Sequence, residues 1–448
     1  MGFPFFVPAL GSQLILGAYA RIAKRETVRQ VPTRPVFTIT ALIPCKNESK
    51  RLPYALASLA RQTRRADKVV IIDDGSTDNT FEVANLMKEF VDLNIEVIRR
   101  EKSIGKTPSL KMVVKTCGTD KLLIFDADTI LEDNYIEKIV IPHYDGRVSC
   151  SYGIVKPLSR DYKRKYYKDV VKPLVTKTDG NREELLSQSI REFSNVVLSD
   201  NEEVKKVKNV NGLFSDLGYY INEWSVVKYR EALYSMDQYF VKDTQMRMFN
   251  TTLFPIGCGV LYDVKKLRKV FDKYESSLGD NLTTSEDIFV GFEFCNTGYV
   301  NCQVKSTHMW TTEPKIKRLT PQLILWSSSF IQSAYYFGNM TKRFRRNGSE
   351  KPFGLFILPQ IFEKVTYPLV LVYMACAMKP ILSVATLVFE FITFFLLAYF
   401  STPAKERNGL ITSIVVAEPI RLMSIPVDFY ILYKFCKDLV KGNRNWRK

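Results

Sequence analysis

Residues 68–80 read KVVIIDDGSTDNT, and the fold turns on how this segment is read. Lys68 to Ile72 is a β-branched apolar run that stops at Asp73 and Asp74. Gly75 and Ser76 turn the chain, and Asp78-Asn79-Thr80 opens a helix with apolar spacing at Phe81, Ala84 and Leu86 through Phe90. A strand that is apolar at consecutive positions is buried on both faces, the habit of parallel sheets. The same arrangement lies on either side. FTITALIP (37–44) is an apolar strand closed by Cys45, Lys46, Asn47 and Glu48, and a short helical pattern follows from Tyr54 to Arg61. IEVI (95–98) is a third strand, a helix lies near Pro108 to Thr116, and KLLIFDAD (121–128) is a fourth strand. Strands alternating with helices predict an α/β domain with a mostly parallel, Rossmann-like sheet. Ligands of such sheets bind beyond the carboxyl ends of the strands. The polar residues at those ends are Asn47 and Glu48, Asp73 and Asp74, and Asp126 and Asp128.

Asp126-Ala127-Asp128 places two carboxylates on one side of an extended segment, because side chains alternate. Paired carboxylates at a strand end suit a hard divalent cation that also holds phosphate oxygens, although two solvated turn acids would give the same three letters. There is no GxxxxGK[ST] and no GxGxxG after the first strand, which argues against those nucleotide-binding loops. Gly257-Cys258-Gly259 before Val260-Leu261-Tyr262 offers a close backbone approach to a ligand. Ser285-Glu286-Asp287 precedes an apolar helical pattern, where capping alone would also account for the acids. Gln322 to Trp326 lies in an amphipathic stretch whose aromatic residues also suit a membrane interface.

The 448 residues carry 64 Lys+Arg against 47 Asp+Glu, a net charge of +17, with mean hydropathy −0.09. Aromatic residues make up 12% of the chain, which excludes a disordered or collagen-like polymer. Three clusters, residues 21–34, 341–351 and 434–448, hold +13 of the charge, and each flanks an apolar zone. Phe3 to Ala20 has no charge and is long enough to span a bilayer; Ile381 to Phe400 has one, Glu390. Pro352 to Met378 is interrupted by Glu363-Lys364, and Gly409 to Phe435 contains Glu418, Arg421, Pro426 and Asp428. The positive-inside rule then predicts a multi-pass protein with its middle region and tail in the cytoplasm and an even number of C-terminal crossings. Nucleic acid is not an expected partner, because the charge hugs the apolar segments. Eight cysteines without a CxxC pair fit a reducing compartment, and two histidines are too few for a His-based metal site.

The order of these pieces resembles family 2 glycosyltransferases of GT-A fold, in the membrane-embedded branch with hyaluronan, chitin and cellulose synthases and ceramide glucosyltransferase. The matching segments are IPCKNE (43–48), VVIIDDGSTDNT (69–80), SIGKTPSLKMVV (103–114), LLIFDADT (122–129), GCGVLYDVKKL (257–267), SEDIFVGFEFCNTGY (285–299), TTEPKIKR (311–318), QLILW (322–326) and NRNW (443–446). The resemblance implies a metal-dependent hexosyltransferase that inverts the sugar it takes from a nucleotide-sugar donor, most simply a UDP-sugar. Glu48 and Asp74 would contact base and ribose, Lys106 would lie near the diphosphate, and Asp126 and Asp128 would hold Mg²⁺ or Mn²⁺. Asp287 would be the general base with Glu286 beside it. Gly257, Gly259 and Tyr262 would line the acceptor site with Gln322, and Trp326 would stack on the acceptor sugar. The acceptor would be a growing polysaccharide or, alternatively, a membrane lipid receiving a single sugar.

The same resemblance divides the chain into a transmembrane helix (1–22), a GT-A domain (36–318), interfacial helices (319–362), transmembrane helices (363–435) and a basic tail (436–448). Two departures stand out. The QxxRW motif has Leu325 in place of arginine, with Lys317 or Arg318 as conceivable substitutes. Asp287 also lies 159 positions after Asp128, which implies an insertion at about 156–250, its charged part running from Lys156 to Lys208. A sugar-phosphate nucleotidyltransferase would need a Gly-rich, Arg-containing loop after the first strand, and IPCKNE is not one.

Overall fold

The computed structural model describes residues 11–22, 35–175, 218, 220–278, 285–347, 350–376 and 380–441. Residues 1–10 of the expected N-terminal span, residues 23–34 with their basic cluster, residues 176–217 of the expected insertion and the tail segment NRNW lie outside the described residues.

The four strands read from the sequence form as β1 (Ile39–Cys45), β2 (Lys68–Asp73), β3 (Ile95–Arg99) and β4 (Lys121–Phe125). Helices α2 (Leu52–Ala60), α3 (Thr80–Phe90) and α4 (Lys106–Thr116) connect them, after an N-terminal α1 (Gly11–Ile22). β5 (Thr129–Leu131), β6 (Val148–Pro157), β7 (Gly259–Asp263) and β8 (Val300–Thr311) complete one eight-stranded mixed sheet of order β3-β2-β1-β4-β7-β6-β8-β5. β1 pairs parallel with β2 and β4, and β2 with β3; β7 runs antiparallel to both β4 and β6, while β8 runs parallel to β6. The consecutive apolar residues of β1 divide as predicted between two layers. Ile39, Ala41 and Ile43 enter one core with Leu56, Val83 and Phe125, while Leu42 enters the other with Val114, Val260 and Phe292.

Strand direction explains the location of the site. β1, β2 and β4 are parallel, so the loops after Cys45, Asp73 and Phe125 leave the same edge of the sheet. β7 is antiparallel to β4, with Gly259 opposite Phe125, so the chain enters β7 at that edge and brings Gly257 with it. β6 therefore runs with β4, and β8 runs with β6, which delivers Thr311 to Glu313 to the same edge. α5 (Tyr135–Val140) and α6 (Arg160–Tyr166) flank the sheet.

Residues 220–249, within the expected insertion, form an almost unbroken rod comprising α7 (Ser225–Met236) and α8 (Lys242–Phe249) with wider π turns between and before them. α9 (Val264–Leu278) and α10 (Glu286–Asn296) follow, then the amphipathic α11 (Ile316–Tyr336). Three apolar helices close the chain: α12 (Gly354–Cys376), α13 (Pro380–Ser401) and α14 (Leu410–Val440). Among the described residues, two stretches are long and apolar enough to cross a membrane, Val384–Ser401 and Leu410–Lys437. α13 leaves Ile381, Val384, Val388, Phe389 and Phe400 exposed, at least half of each side chain, a one-sided apolar surface that water does not favour. Its only charge, Glu390, is buried and pairs with Arg421 of α14, which also pairs with Glu418 at 2.9 Å. Charges inside apolar helices are held in this way, against one another and away from lipid.

Candidate active site

The site begins with the loops after β1 and β2, which are zipped together. Asn47 adopts a left-handed conformation (φ 58°), which asparagine tolerates better than most residues. Its side chain accepts from Thr77 N at 2.8 Å, and its own N–H donates to Ser76 Oγ at 2.9 Å. Glu48 follows, its carboxylate turned onto Arg51 at 2.9 Å and its carbonyl accepting the first amides of α2. Burial raises the Glu48 pKa, an effect that Arg51 partly offsets.

Asp74 is saturated by protein donors. Ser103 Oγ donates to it at 2.6 Å, the amides of Ile104 and Gly105 at 3.1 and 2.9 Å, and Arg100 Nη1 at 3.3 Å. Burial opposes its ionisation, yet these four bonds prevail and hold it below the ordinary carboxylate range. This carboxylate therefore fixes the loop entering α4, where Gly105 (φ 101°) makes the sharp turn that brings Lys106 to Asp126.

Lys106 is the centre of the charge cluster. Its Nζ lies 2.8 Å from Asp126 Oδ1 and 3.2 Å from Glu286 Oε1, tying β4 to the start of α10. Burial alone would lower its pKa, but Asp126 and Glu286 outweigh burial and keep it firmly protonated. Asp128, one pleat on, is pushed up to about 7 by burial and then by Asp126 and Glu48. Crowded carboxylates with a raised proton affinity are a site that a cation relieves. Among the described residues no three His, Cys, Asp or Glu are arranged to hold a metal together, so a cation on Asp126 and Asp128 would take its remaining oxygens from phosphate and water, as Mg²⁺ or Mn²⁺ does. The residues fit that metal.

Asp287 sits in the first turn of α10, where the helix dipole favours a negative charge. Its pKa is nonetheless raised to about 6, by burial first and Glu286 second. Gly257 explains how the carboxylate fits: a Cβ at 257 would meet Asp287 Oδ2 at 2.7 Å. Gly259 has a packing role instead, because a Cβ there would strike Met309 Sδ at 2.4 Å, and Tyr262 is buried in the core against Phe294. Neither Gly259 nor Tyr262 faces the cleft walls.

Beside these groups opens a cleft of about 1500 Å³ lined by Glu48, Arg51, Asp128, Trp310, Glu313 and Gln322, among others. Its outer wall comes from α6 and from α7 of the insertion. Gln322 and Trp326 do reach this region, but through a residue that sequence reading missed. Arg230 of α7, fully buried, donates from Nη2 to Gln322 Oε1 and lies 4.4 Å over the Trp326 ring. A guanidinium thus meets the QxxLW segment from another helix, and it is Arg230 that supplies it, whereas Lys317 and Arg318 remain exposed on the rim. One face of Trp326 is accordingly covered. Arg230 carries no sequence signal, since its helix lies in the insertion; Glu313 belongs to the quoted TTEP segment, but spacing assigned it no role.

A final contact joins the site to the apolar helices. Glu406, in the turn between α13 and α14, accepts from Tyr239 and lies 3.1 Å from both Lys156 Nζ and His308 Nε2. Burial opposes its charge, but these three donors hold its pKa at about 2.

The family profile "Glycosyl transferase family 2" matches residues 40–200. A human dolichyl-phosphate beta-glucosyltransferase is 29% identical over 26% of this chain and 39% of its own length. A poly-beta-1,6-N-acetyl-D-glucosamine synthase of Staphylococcus aureus is 33% identical over 21% of this chain and 23% of its own length. The chain thus spans well under half the length of these curated relatives. A mannosyltransferase from Pyrobaculum calidifontis, solved in complex with GDP-Man and Mn²⁺, superposes with a TM-score of 0.53 at 15% identity, covering 96% of this chain and 95% of that one. That likeness establishes the GT-A-like fold.

Proposed function

From the premise that this chain carries a family 2 glycosyltransferase domain, we propose that it transfers a sugar, with inversion, from a nucleotide-sugar donor to an acceptor at a membrane surface. The observation that carries this reading is the convergence, at one sheet edge, of the Asp126–Asp128 pair, Lys106 and the Gly257-accommodated Asp287. A divalent cation on Asp126 and Asp128 would neutralise charge developing on the leaving diphosphate. Lys106 supplies a second, fixed positive charge at the same place. Asp287, ionised above about pH 6, takes the proton from the acceptor hydroxyl. Glu48, which lines the cleft, is the residue we assign to the donor nucleotide. The two α13–α14 stretches and their exposed apolar faces support membrane attachment, and the three basic clusters support a cytoplasmic catalytic domain.

The sequence alone suggests a growing polysaccharide as the acceptor. The covered Trp326 face favours the second reading, a single sugar placed on a lipid, because Arg230 takes one of the two ring faces on which a long glycan would stack. Labelled UDP- and GDP-sugars supplied to the purified protein in lipid test both. Wild type yields product and Asp287→Asn yields none, with nucleotide and Mn²⁺ binding retained; full turnover by Asp287→Asn removes the base assignment. Extractable glycolipid supports the lipid acceptor, and long polymer overturns it.

A further inference from the structure

Arg230 is the largest fully buried side chain among the described residues, and it belongs to none of the groups placed in the reaction above. Its Nε lies 3.2 Å from Oε2 of Glu313, whose side chain is only 4% exposed. Its Nη2 holds Gln322, and its plane covers Trp326. Three segments distant in sequence, α7, the end of β8 and α11, are therefore fixed at one point. The Glu313 segment touches the carboxylate pair: Thr312 N and Oγ1 donate to the Asp128 carbonyl at 3.3 and 3.4 Å, and Thr311 Oγ1 reaches Asp128 Oδ1 at 3.5 Å.

We propose that Arg230 is a positioning residue for sugar transfer, holding the Thr311–Glu313 segment against Asp128 so that the cation-binding carboxylate is in place before the donor arrives. The proposal rests on the metal-dependent transfer reading. Stability alone does not explain the pair, since buried ion pairs contribute little net stability compared with apolar residues of equal volume. This pair is also incompletely satisfied: buried Arg230 Nη1 has no hydrogen-bond partner, and the Glu313 carboxyl leans on the Tyr234 hydroxyl of α7 as well as on Arg230. Polar groups held under such conditions beside a cleft mark places where position matters more than stability. Arginine is the residue type required, because only its planar fork can face Glu313, Gln322 and an aromatic ring together.

The test uses the full-length protein in lipid. Arg230→Gln/Glu313→Gln removes both charges, so no lone charge is left buried, and Arg230→Lys keeps the charge without the fork. Melting temperature, calorimetric affinity for UDP or GDP with Mn²⁺, and kcat and KM for transfer are measured together. Both variants are expected to weaken Mn²⁺-dependent nucleotide binding and to lower kcat by about tenfold to a hundredfold, the usual loss when groups behind a metal ligand are removed. The double variant is expected to do so without a lower melting temperature. If it binds and turns over within about twofold of wild type, the pair is packing only and the inference is overturned. If the double variant does not fold, Arg230→Lys decides by the same criterion. If wild type shows no Mn²⁺-dependent binding of either nucleotide, the transfer reading itself falls and this inference with it.

Discussion

Replacing Gly257 by alanine adds one methyl group to the site without removing any functional group. The backbone at 257 lies outside the left-handed region, so alanine is conformationally acceptable. The new Cβ would stand 2.7 Å from Asp287 Oδ2, 3.0 Å from Cγ and 3.3 Å from its Cβ. Relief requires the carboxylate to move by roughly 0.5–1 Å, since comfortable non-bonded contacts lie near 3.5 Å. Overpacking of this kind costs about 1–3 kcal/mol of stability. The catalytic cost lies at the upper end of the same range, because a displacement of about 1 Å at a reacting group lowers rate by about a hundredfold, or about 2.7 kcal/mol. Steady-state transfer with the donor that wild type uses should show kcat down by about that factor, the donor KM within about threefold and Mn²⁺-dependent nucleotide affinity unchanged. The donor side is spared because the three atoms nearest the new Cβ all belong to Asp287. Wild-type kcat in a folded Gly257→Ala variant would refute the placement of Asp287 as base. A loss of nucleotide binding instead of kcat would refute the separation of donor and acceptor sides.

Two further outcomes follow from the charges. Asp128 and Asp287 have raised pKa values in the folded chain, about 7 and about 6, so the folded state binds more protons than the unfolded one between roughly pH 4 and 7. Metal-free protein should therefore lose stability as pH rises through that window, and Mn²⁺ should flatten the loss; denaturant melts across pH 5–8 check it, and a metal-free stability that rises with pH contradicts it. Glu406 has the opposite sign, with its stabilising charge present at neutral pH. Glu406→Gln should weaken the tie of the α13–α14 turn to Lys156 and His308 by about 1–3 kcal/mol. Faster proteolysis within residues 402–409 reports this, and an unchanged cleavage rate would mean that the turn is held elsewhere.

The alternation of doubly buried strands with helices, and the acids that end β1, β2 and β4, were legible in the chain because local pattern dictates them. Strand direction then sends all of those acids to one edge. Residues 126, 128 and 287 could be named in advance for the same reason, since each stands at a strand end or helix start. Other roles depended on long-range packing. Asp74 looked like a ligand contact, yet Ser103, Ile104, Gly105 and Arg100 consume its carboxylate. Both faces of β7 are core, Leu261 on one side and Tyr262 on the other, which the sequence Gly257 to Tyr262 does not disclose. Leu325 read as a missing arginine, whereas the fold brings a guanidinium across from residue 230, 92 positions away from Gln322. Sequence pattern determines which side chains can stand at the carboxyl edge, because strand and helix periods are local. Only the tertiary structure decides which of them remain free to meet a substrate, because hydrogen-bond partners and buried charges are recruited from any part of the chain.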